Sequence, residues 1–274
     1  MNAPHNPLST LPDTQASLDL RNLVINKAGV KDLRYPVTIE LGEDVQHTVA
    51  IWSMYVGIPA ETKGAHMSRF IETLEEMGEH GEPLKLNDFV KLEAAMRKRM
   101  DGAMTGMIQV RFPLFIRKEA PVSRVASLLD YDVTITVESK LHNEGQIRLK
   151  VLVPVKSLCP CSKKISEYGA HNQRSHITLD VEVKGELGID ELIRIAEEEA
   201  SSEIYGLLKR IDEKWVTERA YENPKFVEDL VRDLALRVKA HPSVGHFIVA
   251  AENFESIHNH SAYAEIEGYG QAKV

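Results

Sequence analysis

Both cysteines of this chain lie in one short stretch, SLCPCSKKISEYGAHNQRSH, which covers residues 157–176. Cys159 and Cys161 are separated by a single proline, and His171 and Arg174 follow within fifteen residues. Positive charge near a thiol lowers its pKa and makes the thiolate available as a nucleophile or a metal ligand. The stretch is therefore a candidate disulfide, metal site or reactive thiol.

The residues themselves favour some of these interpretations over others. A Cys159–Cys161 disulfide would close a very small loop, which constrains little of the unfolded chain. A structural zinc site usually needs a second pair of ligands spaced like C-x2–4-C, and the chain has no further cysteine. A catalytic metal with mixed Cys, His and carboxylate ligands fits better. Burial of both thiols as small apolar side chains remains an alternative, since free cysteine is commonly buried.

Three further acidic residues and a histidine are candidate ligands, although solvation is the commoner role for each on pattern alone. Glu255 and His258 lie three residues apart in the stretch ENFESIHNHSAY, so a compact turn would bring carboxylate and imidazole together. Glu213 lies near the end of a predicted helix. Glu228 lies at the edge of the apolar stripe of another predicted helix, where it is either a rim charge or a ligand contact.

A candidate anion site lies in the stretch TKGAHMSRF, which gathers Lys63, His66, Ser68 and Arg69 at the start of a predicted helix. The N–H groups of a helix N-terminus attract anions, and the basic side chains add to that field. The chain has neither a Walker motif nor a dinucleotide-binding G-x-G-x-x-G fingerprint. A capped helix with solvated charges is equally consistent with the pattern.

The composition is that of an ordinary globular protein, with 43% hydrophobic and 27% charged residues. A formal net charge of −8 argues against broad nucleic-acid binding, which needs a basic face. No apolar run approaches the roughly 20 residues that span a bilayer, and the N-terminus lacks the features of a signal peptide. We therefore expect a cytoplasmic protein without a membrane segment.

Alternation of apolar residues predicts strands in an order that occurs twice, ββααββ followed by ββααββ. We predict a partly ordered arm over 1–34, a first unit over 35–142 and a second unit over 143–274. The second unit is predicted to contain one long helix over 189–211 and another that is capped by Asn223. The expected fold class is α+β, with antiparallel sheets and helices on one face. Oligomerisation into a barrel would hide the unpaired sheet edges.

Three stretches together, LCPCSKKISEYGAHNQRSH, TKGAHMSRF and NFESIHNHSAY, resemble the prokaryotic type IB GTP cyclohydrolases, and the resemblance covers roughly 35–268. It implies the tunnelling fold, with two ββααββ units per chain. It also implies a homotetramer in which sheets join into barrels and active sites lie at subunit interfaces. The implied reaction converts GTP and water to formate and 7,8-dihydroneopterin triphosphate, the first step toward folate-type pterins, through metal-activated attack of water at C8 of the purine.

The resemblance also implies roles for individual residues and one divalent metal per site, with manganese, iron and zinc all plausible. Cys159 and His171 are implied to be both catalytic residues and metal ligands. The other implied metal ligands are Glu213, Glu255 and His258. Glu228 is implied to bind the purine ring. The expected triphosphate contacts are Lys63, His66, Ser68, Arg69 and Arg174.

Two other functions are consistent with the same residues. A nitrile reductase of queuosine synthesis shares the fold and uses a cysteine nucleophile with NADPH, without a metal. A relative that binds metal or nucleotide without catalysis is the second alternative. Metal dependence separates the first of these from a cyclohydrolase, and only turnover separates the second.

Overall fold

The computed structural model describes residues 14–271 apart from 16, 43 and 142. The strands are β1 Ile25–Leu41, β2 Asp44–Ile58, β3 Gly106–Glu119, β4 Ala126–Ser139, β5 Gln146–Leu158, β6 Asn172–Val183, β7 Ser202–Glu203, β8 Val244–Asn253 and β9 Ala262–Tyr269. The helices are α1 Ser68–His80, α2 Asp88–Arg99, α3 Pro160–Ile165, α4 Ile189–Glu199, α5 Arg210–Glu222 and α6 Val227–Ala240.

The strands form one sheet in the order β1-β2-β3-β4-β5-β6-β8-β9, with the short β7 beside β5. Each of these named strands pairs antiparallel with its neighbours. Alternation within a strand sends successive side chains to opposite faces. In β5, every second residue is buried in the core, namely Ile147, Leu149, Val151, Val153 and Val155, while the residues that alternate with them are more exposed. The sheet therefore has one apolar face, as the alternation predicts.

Helices cover that apolar face. α1 and α2 pack against β1, β3 and β4, whereas α4 and α6 pack against β5, β6, β8 and β9. The predicted α+β class with an antiparallel sheet and helices on one face is confirmed. In the part of the chain that the structure describes, no helix is long and apolar enough to cross a membrane.

β1 begins at Ile25, inside the range that we predicted as a partly ordered arm over 1–34. The early part of the strand lacks clean alternation, and its register shifts between Val30 and Leu33. Gly29 lies so close to β2 that a Cβ atom there would be 1.9 Å from the carbonyl oxygen of Met54. A bulged, glycine-containing strand gives only a weak alternation signal. The predicted boundary between the two units falls in the loop between β4 and β5.

The long helix predicted over 189–211 is also wrong, because α4 ends at Glu199 and the chain then forms β7 before α5 begins. The side-chain ammonium group of Lys118 pairs with a carboxylate on each side of this break. Its Nζ lies 2.6 Å from Glu197 Oε1 and 2.7 Å from Glu203 Oε2. The hydroxyl group of Tyr131 also donates to Glu197. Burial raises the pKa of Glu197. This buried tertiary cluster overrides the helical periodicity of the sequence.

Asn223 does not cap the next helix, as we had predicted, because it follows the end of α5 and α6 begins only at Val227. Its Nδ2 group instead donates to the carbonyl oxygen of Ala200 at 2.9 Å. Two residues later, the N–H of Lys225 donates to the carbonyl oxygen of Leu158 at 3.2 Å. The start of α6 is thereby held beside the end of β5.

Candidate active site at one end of the sheet

Three of the predicted site residues emerge at the same end of three neighbouring strands. Cys159 directly follows β5, His171 directly precedes β6, and Glu255 follows β8 by two residues. β6 pairs with both β5 and β8, so these strand ends are adjacent. The N–H of Cys159 donates to the carbonyl oxygen of His171 at 3.2 Å. The sheet thus brings thiol, imidazole and carboxylate to one edge.

The period of the strands also sets the face on which these side chains lie. Ser157 and Asn253 are buried on the side that the helices cover. Cys159 follows Ser157 by two residues, Glu255 follows Asn253 by two residues, and both are half-buried just beyond the ends of their strands. The candidate site therefore lies where this buried row ends.

Cys159 is half-buried and precedes helix α3. Its sulfur accepts a hydrogen bond from the N–H of Ser162 at 3.5 Å, which fixes the direction of the side chain. Cys161 is exposed, and both thiols are free. The alternatives of a disulfide and of two buried apolar cysteines are therefore wrong for this structure.

His171 is oriented by hydrogen bonds on one side of its ring. Nδ1 lies 3.2 Å from Gln173 Oε1 and 4.0 Å from Glu255 Oε2. The main-chain N–H of His171 donates to the hydroxyl of Ser162 at 3.2 Å. An amide oxygen only accepts, so we assign the proton to Nδ1. Nε2 then carries the lone pair that can bind a metal ion or accept a proton.

The other two predicted metal ligands are not brought to this point. Glu213 is exposed on the first turn of α5, and His258 is exposed and stacks on His260, with 5.2 Å between the ring centroids. Among the described residues, no group of three or more His, Cys, Asp or Glu side chains is arranged to hold a metal ion. A single chain therefore places part of the predicted ligand set together without assembling a complete shell.

Glu228 and Arg174 lie near the same strand ends. Glu228 is exposed on the first turn of α6, three residues beyond the hydrogen bond that joins Lys225 to the end of β5. Arg174 is exposed, and its carbonyl oxygen accepts a hydrogen bond from the N–H of Phe254 at 3.1 Å. Both side chains are exposed, but Arg174 alternates with the buried Gln173 and Ser175 on β6 and so lies on the opposite face of the sheet.

Asp212 is a residue that the sequence did not single out, although it fixes the helix that carries Glu213. Its carboxylate accepts hydrogen bonds from the N–H groups of Val122, Ser123 and Lys209 at 2.8–3.0 Å, and from the hydroxyl of Ser123. Burial alone would raise the pKa of Asp212, but these donors outweigh it and hold the pKa well below its ordinary value. One sequence signal could have found it: an acidic residue three positions after the residue that precedes a helix can accept a hydrogen bond from that residue's main-chain N–H.

The predicted anion-binding residues lie at the opposite end of the strands. Lys63 and Ser68 are exposed beyond the end of β2, whereas Cys159 follows the far end of β5. Arg69 already donates to Asp101 Oδ2 at 3.0 Å and to the carbonyl oxygen of Arg99 at 2.7 Å. Together with His66, Arg69 lines a cavity of about 40 Å³. A single chain does not bring these groups to the Cys159 edge.

Comparison of sequences identifies a family. Residues 11–264 match the family described as type I GTP cyclohydrolase folE2. The protein named GTP cyclohydrolase FolE2 1 of Dechloromonas aromatica is 56% identical over 269 residues, which cover 98% of this chain and 99% of that one. GTP cyclohydrolase FolE2 of Burkholderia ambifaria is 57% identical over 263 residues, which cover 96% of each chain.

Comparison of structures shows the fold. Uricase from Arthrobacter globiformis matches with a TM-score of 0.53 at 10% identity, over 90% of this chain and 94% of that one. Urate oxidase from Bacillus sp. TB-90 matches with a TM-score of 0.52 at 8% identity, over 89% and 100% of the two chains. Identities this low establish a shared architecture only. The predicted tunnelling fold is confirmed.

Proposed function

This chain belongs to the type I GTP cyclohydrolase FolE2 family and is a GTP cyclohydrolase, and we propose that it is of the prokaryotic type IB. The proposed reaction converts GTP and water to formate and 7,8-dihydroneopterin triphosphate, the first step toward folate-type pterins. The observation that best supports it is the location of Cys159, His171 and Glu255 at adjacent ends of β5, β6 and β8.

We further propose that these residues bind one divalent metal, either manganese, iron or zinc. Thiol, imidazole and carboxylate together form a donor set suited to a transition-metal ion, and the Nδ1 hydrogen bond leaves Nε2 of His171 available. Cys159 and His171 would be the first two ligands, and the remaining ones would come from Glu213, Glu255 and His258. When bound, such an ion acts as a Lewis acid and supplies an activated water near neutral pH.

Glu228 would hold the guanine ring. A carboxylate accepts two parallel, charge-assisted hydrogen bonds from the N1–H and 2-amino groups of guanine, which fixes both the position and the orientation of the base. The N-terminal end of α6 is tied to the residue before Cys159, so a base held there lies next to the thiol edge. Fixed geometry of this kind brings C8 to the attacking water.

His171 would move protons during ring opening. Its Nδ1 is engaged by Gln173, so the single lone pair on Nε2 either binds the metal or accepts a proton, and His171 would move a proton between water and a ring nitrogen only while it is not a ligand. We also propose a cytoplasmic location, where thiols such as the unpaired Cys159 and Cys161 stay reduced.

The triphosphate contacts are proposed to come from a second copy of the chain. Lys63 and its neighbours lie beyond one end of the strands and Cys159 beyond the other, separated along the thirteen residues of β5 by roughly 40 Å at about 3.3 Å per residue. Within the described chain, β1 and β9 also form open edges of the sheet. A homotetramer would cover such edges and bring Lys63, His66, Ser68 and Arg69 of one subunit to Cys159 and Arg174 of another.

We expect two inactive variants to restore each other when mixed. Cys159→Ala removes one half of a shared site, and Lys63→Glu places a negative charge in the other half. After unfolding and joint refolding, random assembly should give about a quarter of the wild-type GTP turnover, because about one site in four receives both intact halves. In the control, each variant is refolded on its own, and the two refolded proteins are then mixed without further unfolding.

Recovery of turnover only after joint refolding supports a site shared between copies. If both variants refold into oligomers and the mixture stays inactive, the site is not shared in this way.

The nitrile reductase alternative predicts consumption of NADPH instead of formate release from GTP. The same preparations can be tested for both reactions.

A further inference from the structure

Three buried polar side chains connect the strands that carry the candidate site. Ser157 on β5, Ser175 on β6 and Asn253 on β8 are 2%, 0% and 5% exposed. The hydroxyl oxygens of Ser175 and Ser157 lie 2.7 Å apart, and Ser175 Oγ lies 2.7 Å from Asn253 Oδ1. Such groups are costly to bury in an otherwise apolar core, so their presence at this point of the sheet requires an explanation.

The proton directions follow from the chemistry of the groups. A hydroxyl has one proton to donate, and the oxygen of an amide side chain only accepts. Ser157 Oγ also lies 3.4 Å from Asn253 Oδ1, so one of the two hydroxyls donates to Asn253 and the other donates to that hydroxyl. The three side chains thus form one hydrogen-bonded cluster across three strands.

The location of this chain of hydrogen bonds relates it to the site. Ser157 lies two residues before Cys159, and Asn253 lies two residues before Glu255. On β6, Gln173 lies opposite Ser157 and accepts the Nδ1 hydrogen bond of His171. Each strand thus has a buried polar residue one period inward from a candidate site residue, on the same face.

We propose that Ser157, Ser175 and Asn253 are positioning residues, which fix the relative tilt of the ends of β5, β6 and β8 and thereby the relative positions of Cys159, His171 and Glu255. Backbone pairing alone fixes register, but it leaves the relative tilt of strand ends soft where the pairing stops. Side-chain hydrogen bonds across all three strands remove that freedom. The expected effect on kcat rests on the proposed function. The expected effect on Co²⁺ binding can be measured whether or not the protein turns over GTP.

The test compares Ser175→Ala and Ser157→Ala with a matched control, Ser139→Ala. Ser139 is also buried, at 1% exposure, and its hydroxyl donates to Glu93, but it lies at the opposite end of the sheet. Each variant is measured for thermal stability, for Co²⁺ binding followed by thiolate-to-cobalt absorption, and for kcat and KM with GTP. Cobalt serves as the probe because its absorption reports directly on a thiolate ligand.

Ser175→Ala should weaken Co²⁺ binding and lower kcat by up to about tenfold, with KM for GTP little changed, because partners bonded directly to a metal ligand contribute roughly 10–100-fold and Ser175 acts one contact further out. Ser157→Ala, which leaves the Ser175–Asn253 bond intact, should show a smaller loss in the same direction. Ser139→Ala should lower thermal stability while its cobalt spectrum and kcat stay at wild-type values.

The proposal would be overturned if Ser175→Ala bound Co²⁺ and turned over GTP like the wild-type protein. It would also be overturned if Ser175→Ala and Ser139→Ala lost Co²⁺ affinity and kcat to the same extent. If the wild-type protein binds Co²⁺ but does not turn over GTP, the proposed function fails. The comparison of Co²⁺ affinities among the three variants still decides the positioning role in that case.

Discussion

Replacing Cys159 by alanine is expected to lower kcat for GTP by more than about a hundredfold, without loss of the fold. Loss of an outer-shell partner of a metal site typically costs 10–100-fold, and loss of a direct ligand should exceed that range. Cys159 is half-buried and lies at a strand end, so its truncation creates no large cavity in the core. Formate release in a steady-state assay, with circular dichroism for the fold, checks this result.

The matched control is Cys161→Ala, two residues away on the short helix α3 that Cys159 precedes. Its thiol is exposed, and the proposed mechanism gives it no role, so turnover should remain close to that of the wild-type protein. The account is contradicted if Cys159→Ala keeps substantial activity. It is also contradicted if the two variants lose activity equally.

Replacing Glu228 by alanine is expected to lower kcat/KM for GTP by roughly 10²–10⁴-fold, because two charge-assisted hydrogen bonds to guanine contribute about 1.5–3 kcal/mol each. Part of the loss should appear in kcat, since a base that is held less firmly presents C8 less often to the attacking water. Binding of Co²⁺ should be unchanged, because Glu228 is not among the proposed metal ligands. Steady-state kinetics and a cobalt titration separate these two effects.

Asp229→Ala is the control for Glu228→Ala. Asp229 is the next residue on the same turn of α6, is exposed, and pairs with Arg232 at 3.0 Å. It carries the same charge on the same turn, so a general electrostatic effect would change both variants alike. Equal kinetic losses would therefore remove Glu228 as the specific purine contact.

Strong periodic signals allowed much of the fold to be predicted from the sequence. β5 and β6 alternate cleanly, so their apolar rows could be read directly, as Ile147, Val151 and Val155 illustrate. The start of β1 was missed because a bulge and Gly29 interrupt its alternation. The break after α4 was missed because it depends on Lys118, a residue on β3 that is distant in sequence. Tertiary ion pairs of this kind leave no local pattern.

The sequence predicted which residue types form the candidate site better than it predicted how those residues are arranged. The stretch around Cys159 and His171 and the one around Glu255 stood out from their composition, and the sheet brings them together. Glu213 and His258 remain predicted ligands, because the described residues do not gather them at the same point. The predicted anion-binding residues and Cys159 lie at opposite ends of the strands. Spacing along the sequence could not reveal this separation.

The central claim is that this chain is a metal-dependent GTP cyclohydrolase, and one measurement tests it most directly. Metal-stripped protein is incubated with GTP under anaerobic conditions, alone and after addition of Mn²⁺, Fe²⁺ or Zn²⁺, and formate release and pterin fluorescence are followed. We predict no turnover without metal, and recovery of stoichiometric formate and pterin with at least one of the three ions. Full turnover by the metal-free protein, or no turnover in a folded, metal-loaded oligomer, would contradict this account.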